Sequence, residues 1–276
     1  MNMPIVTLTT DWGQRDHFVA MVKGRLCRLI EGVRVMDLSH AQDWNDPYTT
    51  ASIMRHGCLA FPSGTVHVVD VCCDQLQLGQ QRREEFQQSL VAQWRGHYFV
   101  CSSRKLLELA LDEEEARVVS LPFPSEGPSN TFLAYSQYCD VAAALCRGAV
   151  LDDVGVACGA LRRRMPLQAQ VDGNRLETLV IGLDAYGNAN LNVTYADFEA
   201  IRAGRAFRVE LEWSAGNSER CDAITGICRH YSDVSVGSML LTVSVTGLLQ
   251  LAVNRDSTAK LVGLSRASRC RFIFMD

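Results

Sequence analysis

Apolar and polar positions along the chain change period several times. Ile5 to Thr10 is a short β-branched run that ends in Asp11-Trp12-Gly13, which predicts a buried strand and then a loop. From Phe18 to Ile30 the apolar positions Val19, Met21, Val22, Leu26, Leu29 and Ile30 recur at helical spacing. Val33 to Leu38 reads as a second strand, Thr50 to Ala60 as a second helix and Gly64 to Asp70 as a third strand. Tyr98 to Val100 and Val118-Val119 continue the series, and a helix is predicted from about Tyr138 to Arg147. Strands alternating with helices of this length predict an α/β fold whose mostly parallel sheet carries helices on both faces.

The pattern changes between Ala160 and Asp172, where an arginine run and a proline replace the large hydrophobes. Beyond it, short apolar runs alternate with Gly, Asn and Asp turns: Leu179 to Leu183, Phe207 to Leu211, Met239 to Val243, Leu248 to Val253 and Cys270 to Phe274. That spacing predicts a smaller antiparallel β-barrel-like domain. The reading is therefore an N-terminal α/β domain over 1–162 and a C-terminal β domain over 170–276. Gln75 to Gln88, rich in Gln, Arg and Glu, reads as an exposed excursion.

Composition narrows the function. The apolar set makes up 47% of 276 residues and the charged set 21%, enough for an ordinary core without metal or disulfide staples. A net charge of −4, with Arg162-Arg163-Arg164 as the one basic run, argues against a nucleic-acid binder. The N-terminus lacks the pattern of a secretory signal, and no apolar run is long enough to cross a bilayer, so a cytoplasmic protein with no membrane partner is expected. The eleven cysteines form no C-x-x-C pair and no Cys/His spacing that suits zinc. Buried thiols in a reducing compartment are the default reading, with adjacent Cys72 and Cys73 the sharper, redox-active alternative.

Three segments hold the candidate chemistry. The first is T-T-D-W-G-Q-R-D, with Asp11, Gly13 and Asp16 at the carboxyl end of the first strand, where open α/β sheets bind ligands. An ionised Asp there accepts two hydrogen bonds from a ribose diol; capping of the following helix is the plainer alternative. No Gly-rich phosphate loop accompanies it. The second is Asp184-Ala185-Tyr186-Gly187-Asn188-Ala189-Asn190, a turn by its Gly-Asn pair and also a set able to hold an amino group and stack a purine. The third is His230-Tyr231-Ser232-Asp233 with the later strand Gly247 to Asn254, which is not catalytic on its face.

Taken together in this order, these segments resemble the S-adenosylmethionine (SAM) hydroxide adenosyltransferases, relatives of the fluorinases and chlorinases. That family's pattern runs T-T-D-F-G, D-x-S/T-H, P-x-G-T-V-x-x-x-V-V-D, T-F-H-G-R-D with a following A-A, D-x-F-G-N-x-x-x-N-I and G-x-L-x-I-A-V-N. The chain matches at Thr9 to Gly13, Lys23-Gly24, Asp37-Leu38-Ser39-His40, Phe61 to Val66 with Val68-Val69-Asp70, Thr131-Phe132 with Ala142-Ala143, Asp184 with Tyr186-Gly187-Asn188 and Asn192-Val193, and Gly247 to Asn254. The resemblance implies a homotrimer with SAM or adenosine bound at a subunit interface, SAM being substrate or ligand, with no cofactor and no metal. It implies displacement of methionine at ribose C5′ by water, giving adenosine. Carried over by position, Asp70 is the catalytic candidate. Asp11 holds the ribose hydroxyls, Asp16 lies near the methionine end, Asp184 faces the amino group and Asn188 reads adenine. Tyr186 and Tyr231 pack on the purine, and Asn254 completes the ligand-binding set.

The departures from the pattern cluster at the reacting centre. The resemblance gives an Asp, an Arg and a His to activate water. The Arg position falls at Gln77, after a P-G-V-G loop that here reads Val71-Cys72-Cys73-Asp74, leaving Arg82 or Arg83 as substitutes. The His position holds Leu133, followed by Ala134-Tyr135-Ser136; Ser102 to Lys105 replace P-D-N-G, Val245 replaces a Ser, and Asn45, beside Trp44, takes an aromatic position. The sequence therefore leaves three readings: altered or slow hydrolysis of SAM, binding of SAM or adenosine without turnover, or a structural trimer.

Overall fold

The computed structural model describes residues 3–72, 89–112, 114–122, 132–162, 169–212, 218–221 and 224–275. The chain divides into two compact units, Met1–Arg164 and Met165–Asp276.

The first unit is built on seven strands: β1 (Ile5–Thr10), β2 (Arg34–Ser39), β3 (Val66–Asp70), β4 (Leu90–Trp94), β5 (His97–Cys101), β6 (Arg117–Ser120) and β7 (Val156–Ala157). Their order in the sheet is β2-β1-β3-β5-β4-β6-β7. The four strands β2, β1, β3 and β5 run parallel, and β4, β6 and β7 add an antiparallel margin. The β4–β5 hairpin missed by apolar periodicity turns through Arg95 and Gly96, both with positive φ (48° and 80°), as a tight two-residue hairpin demands.

Side chains alternate across the sheet, and helices cover both faces. On one face Val6, Leu8, Val66, Val68, Val91 and Val100 pack with Val22 and Leu26 of helix α1 (Phe18–Leu29) and with Ala134 to Leu145. On the other, Val69, Leu90, Ala92, Phe99 and Cys101 pack with Ala51, Met54 and Cys58 and with Leu106, Leu107 and Ala110 of helix Arg104–Ala110. The second predicted helix begins earlier than its apolar spacing suggests. Asp46 accepts from the backbone N–H of Tyr48 and Thr49, Pro47 opens the first turn, and the helix passes into a π-helical turn at Ile53–Gly57. A second π-helical turn, Ala134–Tyr138, precedes helix Cys139–Cys146 on the face toward which Asp70 alternates.

The second unit is antiparallel throughout its named strands. It comprises β8 (Gln170–Asp172), β9 (Arg175–Leu183), β10 (Ala189–Thr194), β11 (Ala206–Glu212), β12 (Ser218–Cys221), β13 (Met239–Val243), β14 (Leu248–Val253) and β15 (Arg269–Met275). The order is β12-β11-β15-β9-β10-β14-β13, with β8 on β9, giving a curled sheet. Its concave side closes on an aromatic group, Phe198 against Phe272 at 4.8 Å and Phe207 at 5.2 Å between ring centroids, in edge-on arrangements. Thr194 caps the short helix Tyr195–Arg202 that delivers Phe198. Among the described residues no helix is long and apolar enough to cross a membrane.

Candidate active site

In the first sheet the chain leaves β1 toward β2 on one side, then returns to lay β3 on the other. The carboxyl ends of β1 and β3 therefore flank a topological switch point, the place where a parallel sheet leaves a crevice. The parallel register pairs Thr10 with Asp70. Asp11 follows immediately, so two carboxylates are brought together by strand geometry.

Asp70 is half-buried and accepts a hydrogen bond from Trp12 Nε1 at 3.0 Å. Burial pushes its carboxyl up to about 6; hydrogen bonds from Trp12 and Ser102 act the other way, and the negative charge of Asp11 adds to the rise. Ser102, just beyond β5, also bonds the backbone of Val71, so the residue after Asp70 is fixed to the neighbouring strand. Asp11 does not cap a helix. Its Oδ2 accepts from Cys72 N at 3.0 Å, tying the loop after β1 to the loop after β3. Asp16 sits at the entry to α1, where Oδ1 accepts from Phe18 N at 3.1 Å.

Behind this pair stands a polar chain that begins in the Asp37-Leu38-Ser39-His40 segment. Thr10 Oγ1 lies 2.7 Å from His40 Nδ1. His40 Nε2 lies 3.1 Å from Asp37 Oδ1. Lys23 Nζ donates to Asp37 Oδ2 at 2.6 Å. Partial burial works to raise the Asp37 carboxyl, but the bonds from Lys23 and His40 outweigh it and hold it below its usual range. Gly13, in the left-handed region at φ 71°, donates its N–H to His40 O at 2.7 Å.

The thiols divide by exposure. Cys58 and Cys139 are buried, and burial pushes each up to about 12, which makes them inert core residues. Cys72 is exposed beside Asp11, while Cys73 lies outside the described residues. Leu133, at the position where the family pattern has His, is half-buried against the first unit's core. Gln77, Arg82 and Arg83 lie outside the described residues.

The second unit carries its own cleft of about 670 Å³, lined by Tyr186, Asn188, Tyr231, Val253, Asn254, Arg255 and Asp256. This is within the usual range for a small-molecule site. Four of the residues singled out from sequence meet there. Tyr186 is 80% exposed and Tyr231 46%, a large aromatic area left open to solvent at a concave surface. Asp184 stands behind the wall. Its Oδ1 accepts from the backbone N–H of Tyr186 and Asn188, both at 2.9 Å, and its Oδ2 from Asn188 Nδ2 at 2.9 Å. Gln250 Nε2 donates to the same Oδ2 at 3.3 Å and to Asn190 Oδ1 at 3.0 Å, and its Oε1 accepts from Tyr231 O–H at 3.0 Å. One carboxylate thus fixes Tyr186, Asn188 and, through Gln250, Tyr231. Gly187 is needed at the bend: φ is 82°, and a Cβ there would collide with Ser257. Asn254 is likewise held, donating to Val234 O at 2.8 Å.

Sequence reasoning missed Trp12 as a donor, Ser102, Gln250, Arg255 and Asp256. Gln250 alternates with the apolar residues of β14 and reads as an ordinary outward position; only its register against Asn190 shows its role. Val245, where the pattern has Ser, is fully exposed at the β13–β14 turn.

Comparison with known proteins places the chain among its relatives. The model of the SAM hydroxide adenosyltransferase N-terminal domain matches residues 6–155, and that of the family's C-terminal domain matches residues 178–271. The chain is 30% identical, over 97% of both chains, to an (R)-S-adenosyl-L-methionine hydrolase of Salinispora arenicola. It is 28% identical, also over 97% of both, to one of Salinispora tropica. Among solved structures, an uncharacterized conserved protein from Thermotoga maritima shares the fold with a TM-score of 0.76 at 20% identity, covering 98% of this chain and 99% of that one. A conserved hypothetical protein from Thermus thermophilus does so at 0.70 and 23%, covering 98% and 100%. With both domain models matched in order and hydrolase relatives aligned end to end, the chain belongs to the SAM hydroxide adenosyltransferase family.

Proposed function

We propose that the protein hydrolyses SAM at the ribose C5′ carbon, giving adenosine and methionine. The observation that carries the reading is Asp70: a half-buried carboxylate at the switch point of a parallel sheet, raised to about 6 and held by a fixed donor. A carboxylate so placed is a stronger base than a solvated one and is still ionised at neutral pH. In the proposed step a water oxygen forms a bond to C5′ as the C5′–S bond breaks. Both electrons of that bond pass to sulfur, so a sulfonium becomes a neutral thioether and needs no general acid. The proton lost by the water passes to Asp70 and then to solvent. Asp11 serves the ribose hydroxyls with Asp16 toward the methionine end, and together with Asp70 they supply negative charge to a cationic substrate. The exposed rings of Tyr186 and Tyr231, in a cleft that Asn188 and Asn254 also line, suit a purine. The internal bonding of Asp184 supports a role in setting this wall, with its amino-group contact reserved to whatever Oδ2 geometry a ligand meets.

A second reading, binding without turnover, is favoured by one observation: the side chain at position 133 is Leu, half-buried in apolar surroundings. One incubation separates the two. Purified protein with SAM should release adenosine and methionine, detected by mass spectrometry, and Asp70→Asn should lower the rate by about 10²–10⁴-fold. The rate should fall as pH drops through about 6, where Asp70 takes up a proton. SAM bound but unchanged by the wild type would leave the binding reading.

The same substitution reports on stability. The folded-state pKa of Asp70 is raised above its ordinary value, so its protonated form favours folding. That contribution is present below about pH 4 and lost as pH rises through about 6. Asp70→Asn should therefore be more stable than wild type at pH 7–8, on the order of 1–3 kcal/mol, and equal to it near pH 4, as read by urea unfolding. A variant less stable at pH 8 would contradict the burial account.

Tyr186→Ala and Tyr231→Ala should each weaken adenosine binding about 5- to 100-fold in calorimetry, since a stacked base contributes about 1–3 kcal/mol. Unchanged affinity would remove the cleft from the site. A homotrimer, implied by the family likeness, belongs to the same proposal; sedimentation equilibrium should return three times the 30.6 kDa chain mass, and a monomer would exclude it.

A further inference from the structure

Asp70 works as a base only if its free lone pairs point to one place, and the structure shows what fixes them. Trp12 Nε1 reaches Asp70 Oδ2 at 3.0 Å. The indole is clamped. It stacks on His40 at 6.2 Å between centroids with planes 21° apart, and Phe132 meets it edge-on at 4.9 Å. Phe132 in turn rests on Phe18 at 4.9 Å. The backbone beneath the ring is held as well: Trp12 N points to Thr10 Oγ1 at the outer limit of a hydrogen bond, 3.5 Å, and Thr10 Oγ1 lies 2.7 Å from His40 Nδ1. A continuous chain of contacts thus runs from Lys23 and Asp37 through His40 to the ring that holds Asp70.

The residue types give this arrangement meaning. The matching position of the family pattern is Phe, which lacks a donor; here it is Trp. The pattern's His, a donor or acceptor, is here Leu133, one residue beyond the Phe132 that packs on the indole.

We propose that Trp12 is the positioning residue for Asp70, its clamped indole N–H holding one carboxylate oxygen so that the other is presented to water. The kinetic half of this proposal rests on the hydrolase reading; the structural half does not. Among the described residues, the groups that face Asp70 are Asp11 from the end of β1, Ser102 from beyond β5 and Tyr138 from the π-helical turn, with His40 behind the indole. Burial and Asp11 raise the carboxyl, while Trp12 and Ser102 lower it. Removing the indole N–H leaves a carboxyl that protonates more readily, hence a weaker supply of base at neutral pH.

The test is proton–nitrogen NMR of the full chain, whose four tryptophans (Trp12, Trp44, Trp94 and Trp213) give four indole N–H signals. Trp12→Phe identifies the Trp12 signal by its loss. Should that variant not fold, Trp44→Phe, Trp94→Phe and Trp213→Phe identify it by elimination. The Trp12 signal should move with pH with a midpoint near 6 in wild type and stay flat in Asp70→Asn. A signal flat from pH 4 to 8 in wild type, or one that titrates equally in Asp70→Asn, overturns the assignment whether or not SAM is turned over. In kinetics Trp12→Phe should lower kcat about 10- to 100-fold, the size expected for one hydrogen bond to a charged group, with KM for SAM within about threefold. The acid limb of its pH–rate profile should move upward. A variant with wild-type kcat and an unmoved acid limb overturns the positioning role even if the NMR titration is seen.

Discussion

The parallel pairing of β1 with β3 is the constraint on which the first unit's chemistry depends. It is not a loop that brings Asp11 and Asp70 together but strand register, Thr10 opposite Asp70. Both strands are held by buried β-branched and apolar residues on the two faces of the sheet, Val6, Leu8, Val66 and Val68 on one and Val69 on the other. Slipping one residue would turn every one of those side chains to the wrong face. The sheet therefore enforces a placement that the carboxylates themselves oppose, since like charges close together and partly out of water repel and are poorly solvated. Burial first, and the Asp11 charge after it, raise the Asp70 carboxyl to about 6. The core has to supply the stability that this corner removes, a common relation between sites and scaffolds.

The second unit solves a different problem. Its cleft holds two aromatic rings open to solvent. It does so with one carboxylate turned inward. Asp184 gathers the backbone N–H groups of Tyr186 and Asn188 into a tight turn, and Gln250 carries the same anchor across to Tyr231. Each group in this set is satisfied within the protein, so the wall exists before a ligand arrives. For the proposed purine site, a wall built beforehand leaves little loop ordering to be done on binding.

Much of this was legible in the sequence, and the reason is periodicity. β1, α1, β3, β13 and β14 carry strong apolar repeats and stand where those repeats predict. Periodicity does not predict the short strands β7, β8 and β12, nor two longer ones: β10, with Asn190 and Asn192 between apolar residues, and β4, interrupted by Gln93 and closed by a turn whose Arg95 has no conventional turn signature. The site was legible as a set of residue types in a familiar order, but not as a set of bonds. Nothing in the letters distinguishes Asp11 as a bridge to Cys72 from Asp11 as a helix cap, or tells that Asp16 takes the helix entry instead. Those outcomes depend on which backbone N–H lies within about 3 Å of a carboxylate, a tertiary fact.

The departures from the family pattern make physical sense when they are weighed as donors and acceptors around one carboxylate. A half-buried Asp needs hydrogen-bond partners to stay ionised near neutral pH, and a general base needs at least one lone pair left toward its substrate. Leu133, at the position where the family pattern has His, can supply no such partner. Trp at position 12 restores a donor from a side chain that is already fixed by stacking, and Ser102 adds another from the neighbouring strand. Two neutral donors cannot take up a proton, whereas His can. In the proposed hydrolysis proton transfer is assigned to Asp70, and among the described residues Trp12 and Ser102 set its geometry and pKa.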